Sequence, residues 1–111
     1  MAVSGEQFRS WALALPETVE KETWEHPTFR VRDKIFASMA EDGSTAGLRT
    51  SPAEQAELIA MDPDTYSIAH YTGRYGWVTV VLGSADPEDV RPLVTEAWRR
   101  TAPKRVAAQV E

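Results

Sequence analysis

Phe29-Arg30-Val31-Arg32-Asp33-Lys34-Ile35-Phe36-Ala37 is the stretch that decides the fold. Phe29 and Val31 alternate with Arg30 and Arg32, the two-residue period of a strand with one face in the core and the other in water. Arg32-Asp33 reads as a tight turn. Residues 34–40 then resume with Ile35, Phe36, Ala37 and Met39, apolar on both faces, which places this strand inside a sheet. A connection this short makes the two strands antiparallel, since a parallel pair needs a longer crossover.

Strand signals continue outward in both directions. Before Pro27, residues 18–25 mix β-branched side chains and charges, with Val19 and Trp24 as apolar points, and read as an edge or half-exposed strand. After the hairpin, Glu41-Asp42-Gly43-Ser44 is a turn leading to a strand at 47–50. Residues 66–71 and 77–82 form two more strands around the turn Thr72-Gly73-Arg74-Tyr75-Gly76. The strand that begins at Trp77 is the most hydrophobic segment and a candidate for the sheet centre.

Three helices carry start signals. Ser4 with Gln7, and Ser51 with Glu54, have capping-box spacing, which satisfies two otherwise orphan amides. Asp86-Pro87 opens the third helix, with Glu88 and Asp89 at the positive end of its dipole. The apolar stripes are Phe8, Trp11, Ala12 and Leu15; then Ala56, Ile59 and Ala60; then Val90, Leu93, Val94, Ala97 and Trp98. Pro16, Pro63 and Pro103 end or follow them. The expected fold is α+β, a single-layer antiparallel β-sheet with helices packed on one face, in the order α-β-β-β-β-α-β-β-α. One domain spans 1–105, and 106–111 is a frayed tail.

Composition sets limits. The chain has 111 residues, 17 acids against 12 Lys and Arg, and a net charge of −5, which weighs against broad electrostatic binding to polyanions or to an anionic membrane. Cysteine is absent, so disulfides and thiolate metal sites are excluded and a cytoplasmic location is expected. No apolar run has the length of a membrane span.

Signs of catalysis are sparse, and the chain is read as a non-enzyme without cofactor. Gly-x-Ser-x-Gly and phosphate-cradling glycine patterns are missing. His26 and His70 have no second ligand at zinc spacing, and no metal site is assigned. Glu17, Glu20, Glu22 and Glu25 could hold a divalent cation weakly, but a solvated edge strand explains them with fewer assumptions. The bases are unevenly placed. Residues 1–29 carry a local balance of −3, residues 30–34 of +2 and residues 90–105 of +4. Arginines and an aromatic ring at hairpin tips can touch a phosphate backbone. The tryptophans read mainly as core, Trp77 included, although Trp77 also suits the lining of a groove.

Residues 29–37, the strand Trp77-Val78-Thr79-Val80, and the helix from Asp86 to Trp98 ahead of Ala102-Pro103-Lys104 resemble the MmcQ/YjbR family. The resemblance implies a CyaY-like or "double wing" domain, commonly described as DNA-binding. On matching positions it assigns binding to Arg30, Arg32, Lys34 and Arg74, with His70 in the turn before Trp77. Asp33 departs from the family's frequent glycine and adds a negative charge at the tip. The expected partner is DNA. The alternative is a protein or small ligand at a groove around His70, Tyr75 and Trp77, with weak metal handling a third reading.

Overall fold

The computed structural model describes residues 2–23 and 26–109. Trp24 and Glu25, expected in the first strand, and the last two residues of the tail lie outside the described residues. The chain runs α1 (Gly5–Leu13), β1 (Thr18–Thr23), β2 (His26–Val31), β3 (Lys34–Met39), β4 (Thr45–Arg49), α2 (Pro52–Met61), β5 (Tyr66–Ile68), β6 (Trp77–Val81), α3 (Pro87–Thr101) and α4 (Lys104–Ala107). This is the expected α+β order, extended by the short α4.

All six strands form one antiparallel sheet in the order β1-β2-β3-β4-β6-β5. The hairpin that decided the fold is present. Arg32 (φ 51°) and Asp33 (φ 67°) both adopt left-handed backbone, as a two-residue turn matched to strand twist requires. β3 lies inside the sheet, as its apolar faces predicted. β6 is also interior but next to the edge strand β5, so it is not the sheet centre.

Strand register separates the two faces. Glu20, Phe29, Ala37, Leu48, Val78 and Ile68 form one transverse row across the sheet. Its four middle members are fully buried against the helices. Phe8 of α1 meets Phe29 edge-on at 6.0 Å. Trp98 of α3 is buried, and its indole N–H donates to Pro16 O at 3.0 Å. Burying a large apolar side chain is worth roughly 1.5–3 kcal/mol, so this layer carries most of the stability.

Helix starts follow their signals. Ser4 and Gln7 bond reciprocally, each at 3.0 Å, and Asp86 accepts from the Glu88 amide at 2.9 Å. At α2 only half of the expected box forms. Ser51 accepts from the Glu54 amide, but the Glu54 carboxylate turns away to Arg100 of α3 at 3.1 Å. The inward face of α2 also differs from expectation. Leu58 is buried and Ile59 partly buried, whereas Ala56 and Ala60 are exposed. Gln55 takes an inward position because its amide donates to Gly73 O at 2.7 Å and Trp77 O at 2.8 Å.

Several boundaries move, and the strand expected at 47–50 runs Thr45–Arg49. The strand expected over 66–71 stops at Ile68, because the chain turns back at Ala69, whose carbonyl accepts from the Gly73 amide at 2.9 Å. His70 is therefore in a loop and not in a strand. Val106, the first residue of the tail expected to fray, is 1% exposed and belongs to the core.

Candidate functional site

The second transverse row of the sheet is polar. Lys21, Thr28, Ser38, Gly47, Thr79 and Ser67 are aligned across all six strands. Alternation puts this row on the face opposite Phe29 and Leu48, away from the helix-covered core. Here the sheet forms an open concavity of about 450 Å³. Its hydroxyl lining comes from Thr23, Thr28, Ser38, Thr45, Thr72 and Thr79, with Ile35 and Trp77 as apolar floor and His26 and His70 also in the lining.

Gly47 shapes the floor. A methyl there would sit 2.6 Å from Ser38 Oγ and 3.7 Å from the Trp77 ring. Trp77 is half-buried and lines the groove, so the groove reading applies and full core burial does not.

Charge is sorted between the faces. No Asp or Glu among the described residues lines the concavity, although the chain carries 17 acids. Glu20 points to the helix side, where Arg9 of α1 grips it at 2.9 Å. Lys21, next in sequence, shares the Thr28 side. Glu41 and Asp42 stand in the turn beyond Ala40, and Asp42 is occupied by the amide and hydroxyl of Ser44. Those two bonds hold the Asp42 carboxyl below its ordinary value.

The four basic residues assigned to binding differ in their partners. Arg30 lies along the open face, donating to Thr23 Oγ1 at 2.7 Å and Thr28 Oγ1 at 3.3 Å. Arg32 is ion-paired with Glu17, which lowers the Glu17 carboxyl and raises the guanidinium chiefly through their hydrogen bonds. Lys34 is exposed at the hairpin end. Arg74 sits over the Tyr75 ring at 4.9 Å. The register puts the Arg32-Asp33 turn and the loop before Trp77 at the same end of the sheet, because Arg30 pairs with Ile35, Ala37 with Leu48, and Arg49 with Trp77.

Of the expected groove residues, His70 and Trp77 line the concavity and Tyr75 does not, while the hydroxyl row, Gly47, Lys21 and a groove position for His26 were missed. The available signal was Thr or Ser at outward positions of four different strands. Among the described residues no three His, Asp or Glu side chains are grouped to hold a metal ion. Glu17 and Glu20 instead bind arginines on separate elements. No helix among them is long and apolar enough to cross a membrane.

The molecule is thus an α+β domain with one helix-covered sheet face and one open face whose concavity has no carboxylate among its described lining residues. The chain belongs to the YjbR family, whose model matches residues 13–100. The crystal structure of Deinococcus radiodurans protein DR2400, which has a DUF419 domain, is similar at a TM-score of 0.79 and 21% identity, covering 89% of this chain and 78% of that one. At that identity the likeness speaks to the fold alone. No curated protein matches the sequence.

Proposed function

We propose that this YjbR domain is a non-catalytic binding module for nucleic acid, with the open sheet face as its contact surface. One observation carries the reading: in an acidic chain, the described lining of that face is free of carboxylates and bordered by Lys21 and Arg30. Phosphate is repelled by nearby carboxylates and drawn by cations, so this sorting favours a polyanion at this face. The hairpin tip is a weaker candidate, because Asp33 and the Glu17–Arg32 pair offset its charge. The net charge of −5 limits the contact to a few phosphates.

Fluorescence anisotropy with labelled oligonucleotides, at low and physiological salt, tests this. Lys21→Gln and Arg30→Gln are expected to weaken binding and to reduce the salt slope by about 0.7–0.9 each. Absence of salt-dependent binding, or unchanged affinity in both variants, would refute it. A second reading has its own support: a concavity of about 450 Å³ falls within the roughly 300–1,000 Å³ range of small-ligand sites. Quenching of tryptophan emission by a small anionic ring compound, with no oligonucleotide binding, is its distinguishing result.

A further inference from the structure

We infer that the nucleic acid bound at this face is single-stranded, with Tyr71 and Tyr75 as stacking platforms beside the groove; this rests on the nucleic-acid reading above.

The loop between β5 and β6 adjoins the groove, since His70 and Thr72 belong to the lining and Trp77 follows directly. From Thr65 to Ala85 the chain has no Asp or Glu. Within this stretch Tyr71 is 85% exposed and Tyr75 62% exposed. Tyr71 also has a left-handed backbone, φ 67°, which a bulky side chain rarely adopts and which a simple turn would give to glycine or asparagine. That conformation displays the Tyr71 ring to solvent, T-shaped to the His70 ring with centroids 4.3 Å apart. Arg74 over Tyr75 adds a cation to the second ring.

The loop is held in place for this display. Gln55 of α2 donates to the carbonyl of Gly73 within the loop and to that of Trp77 just after it. Ile68 packs so closely on Gly73 that a methyl there would lie 2.2 Å from Ile68 Cγ2. Two exposed rings on a braced loop need little ordering when a ligand binds.

Strandedness follows from what each surface can read. In a duplex the base faces are already stacked, so binding rests on phosphate contacts by many cations. Here Arg32 and Arg100 are ion-paired, and Asp33 occupies the hairpin tip. Unpaired bases, by contrast, stack on aromatic side chains and need few cations. The loop and groove offer three rings, Tyr71, Tyr75 and Trp77, with Lys21 and Arg30 for the backbone.

The test compares a labelled oligothymidylate of about twelve nucleotides, within the span of a small single-strand site, with the matching duplex. The single strand is expected to bind at least about tenfold tighter. Tyr71→Ala and Tyr75→Ala should each weaken it by about fivefold or more and leave the duplex unaffected, while Tyr71→Phe keeps binding. Both side chains are exposed, and circular dichroism checks that the variants fold. Equal or tighter duplex binding, or tyrosine variants that bind like the parent, overturns single-strand recognition and leaves the nucleic-acid reading intact. Binding of neither oligonucleotide overturns both.

Discussion

The guanidinium of Arg32 is forked onto the carboxylate of Glu17, its second bond 3.2 Å long, so the tip of the β2–β3 hairpin is tied to the residue that precedes β1. Both residues have positive φ, 51° and 57°, which lets the two turns face each other at one end of the sheet.

Because the charge of Arg32 is paired with Glu17, Arg32→Ala is expected to leave oligonucleotide affinity within about twofold, unlike Arg30→Gln. The pair is exposed and adds little stability. Its sign with pH is fixed nonetheless. The Glu17 carboxyl is held below its ordinary value, so the contribution is present above that value and is lost as pH falls through the lowered one. Glu17→Gln should flatten this part of the acid limb in denaturation at graded pH. An unchanged acid limb would show that the ion pair is not populated in solution.

Gly76 is the most demanding glycine. Its φ is +94°, and a methyl would lie 2.6 Å from Thr50 O and 3.0 Å from the Ser51 carbonyl carbon. Its own carbonyl accepts from the Thr50 amide at 3.1 Å and from the Thr50 hydroxyl. These neighbours are backbone and cannot swing aside. Gly76→Ala is therefore expected to cost about 2 kcal/mol or more, read as a lower urea midpoint at unchanged slope. A midpoint equal to that of the parent would mean that the loop rebuilds without strain.

Local signals were legible in the sequence, and tertiary ones were not. Ser4, Ser51 and Asp86 announce helix starts because a cap bonds within three residues, and Arg32-Asp33 announces a hairpin because a two-residue turn has few solutions. The Glu54 carboxylate escaped its expected box because Arg100, 46 positions away, offers a charge-assisted bond. Apolar periodicity misjudged α2 because a polar residue, Gln55, faces inward to brace the loop. The groove was only half legible. Trp77 and His70 stand out as residue types, whereas Thr28, Ser38, Gly47 and Thr79 gain meaning only when register aligns them.

Tyr66 is 2% exposed, and its hydroxyl has no hydrogen-bond partner among the described residues. An unmatched buried hydroxyl costs free energy, so Tyr66→Phe is expected to be neutral or to stabilise by up to about 1 kcal/mol. Burial, with Asp89, Asp62 and Asp86 adding repulsion, pushes the phenol up to about 12 from 10.0. A raised value leaves stability intact below pH 10 and removes it as pH climbs toward 12, by about 3 kcal/mol in all. Urea titrations of parent and Tyr66→Phe across that range check this. Parallel losses in both proteins would assign the alkaline limb to other groups.

Gly47 gives the most direct test of the open face. Ser38 Oγ, 2.6 Å from the position of an added methyl, is the end of a short side chain and can rotate away. Replacing glycine in a strand interior also recovers backbone entropy worth roughly 0.5–1 kcal/mol. Gly47→Ala is thus expected to fold with stability within about 1 kcal/mol of the parent. Gly47→Val adds two further carbons over the floor, which Ser38 and Trp77 already flank, and takes up space in the concavity. It should remain folded, shift the emission of Trp77, and lose oligonucleotide or small-ligand binding by about tenfold. A folded Gly47→Val protein that binds like the parent would move the contact surface off this face, whichever ligand it takes.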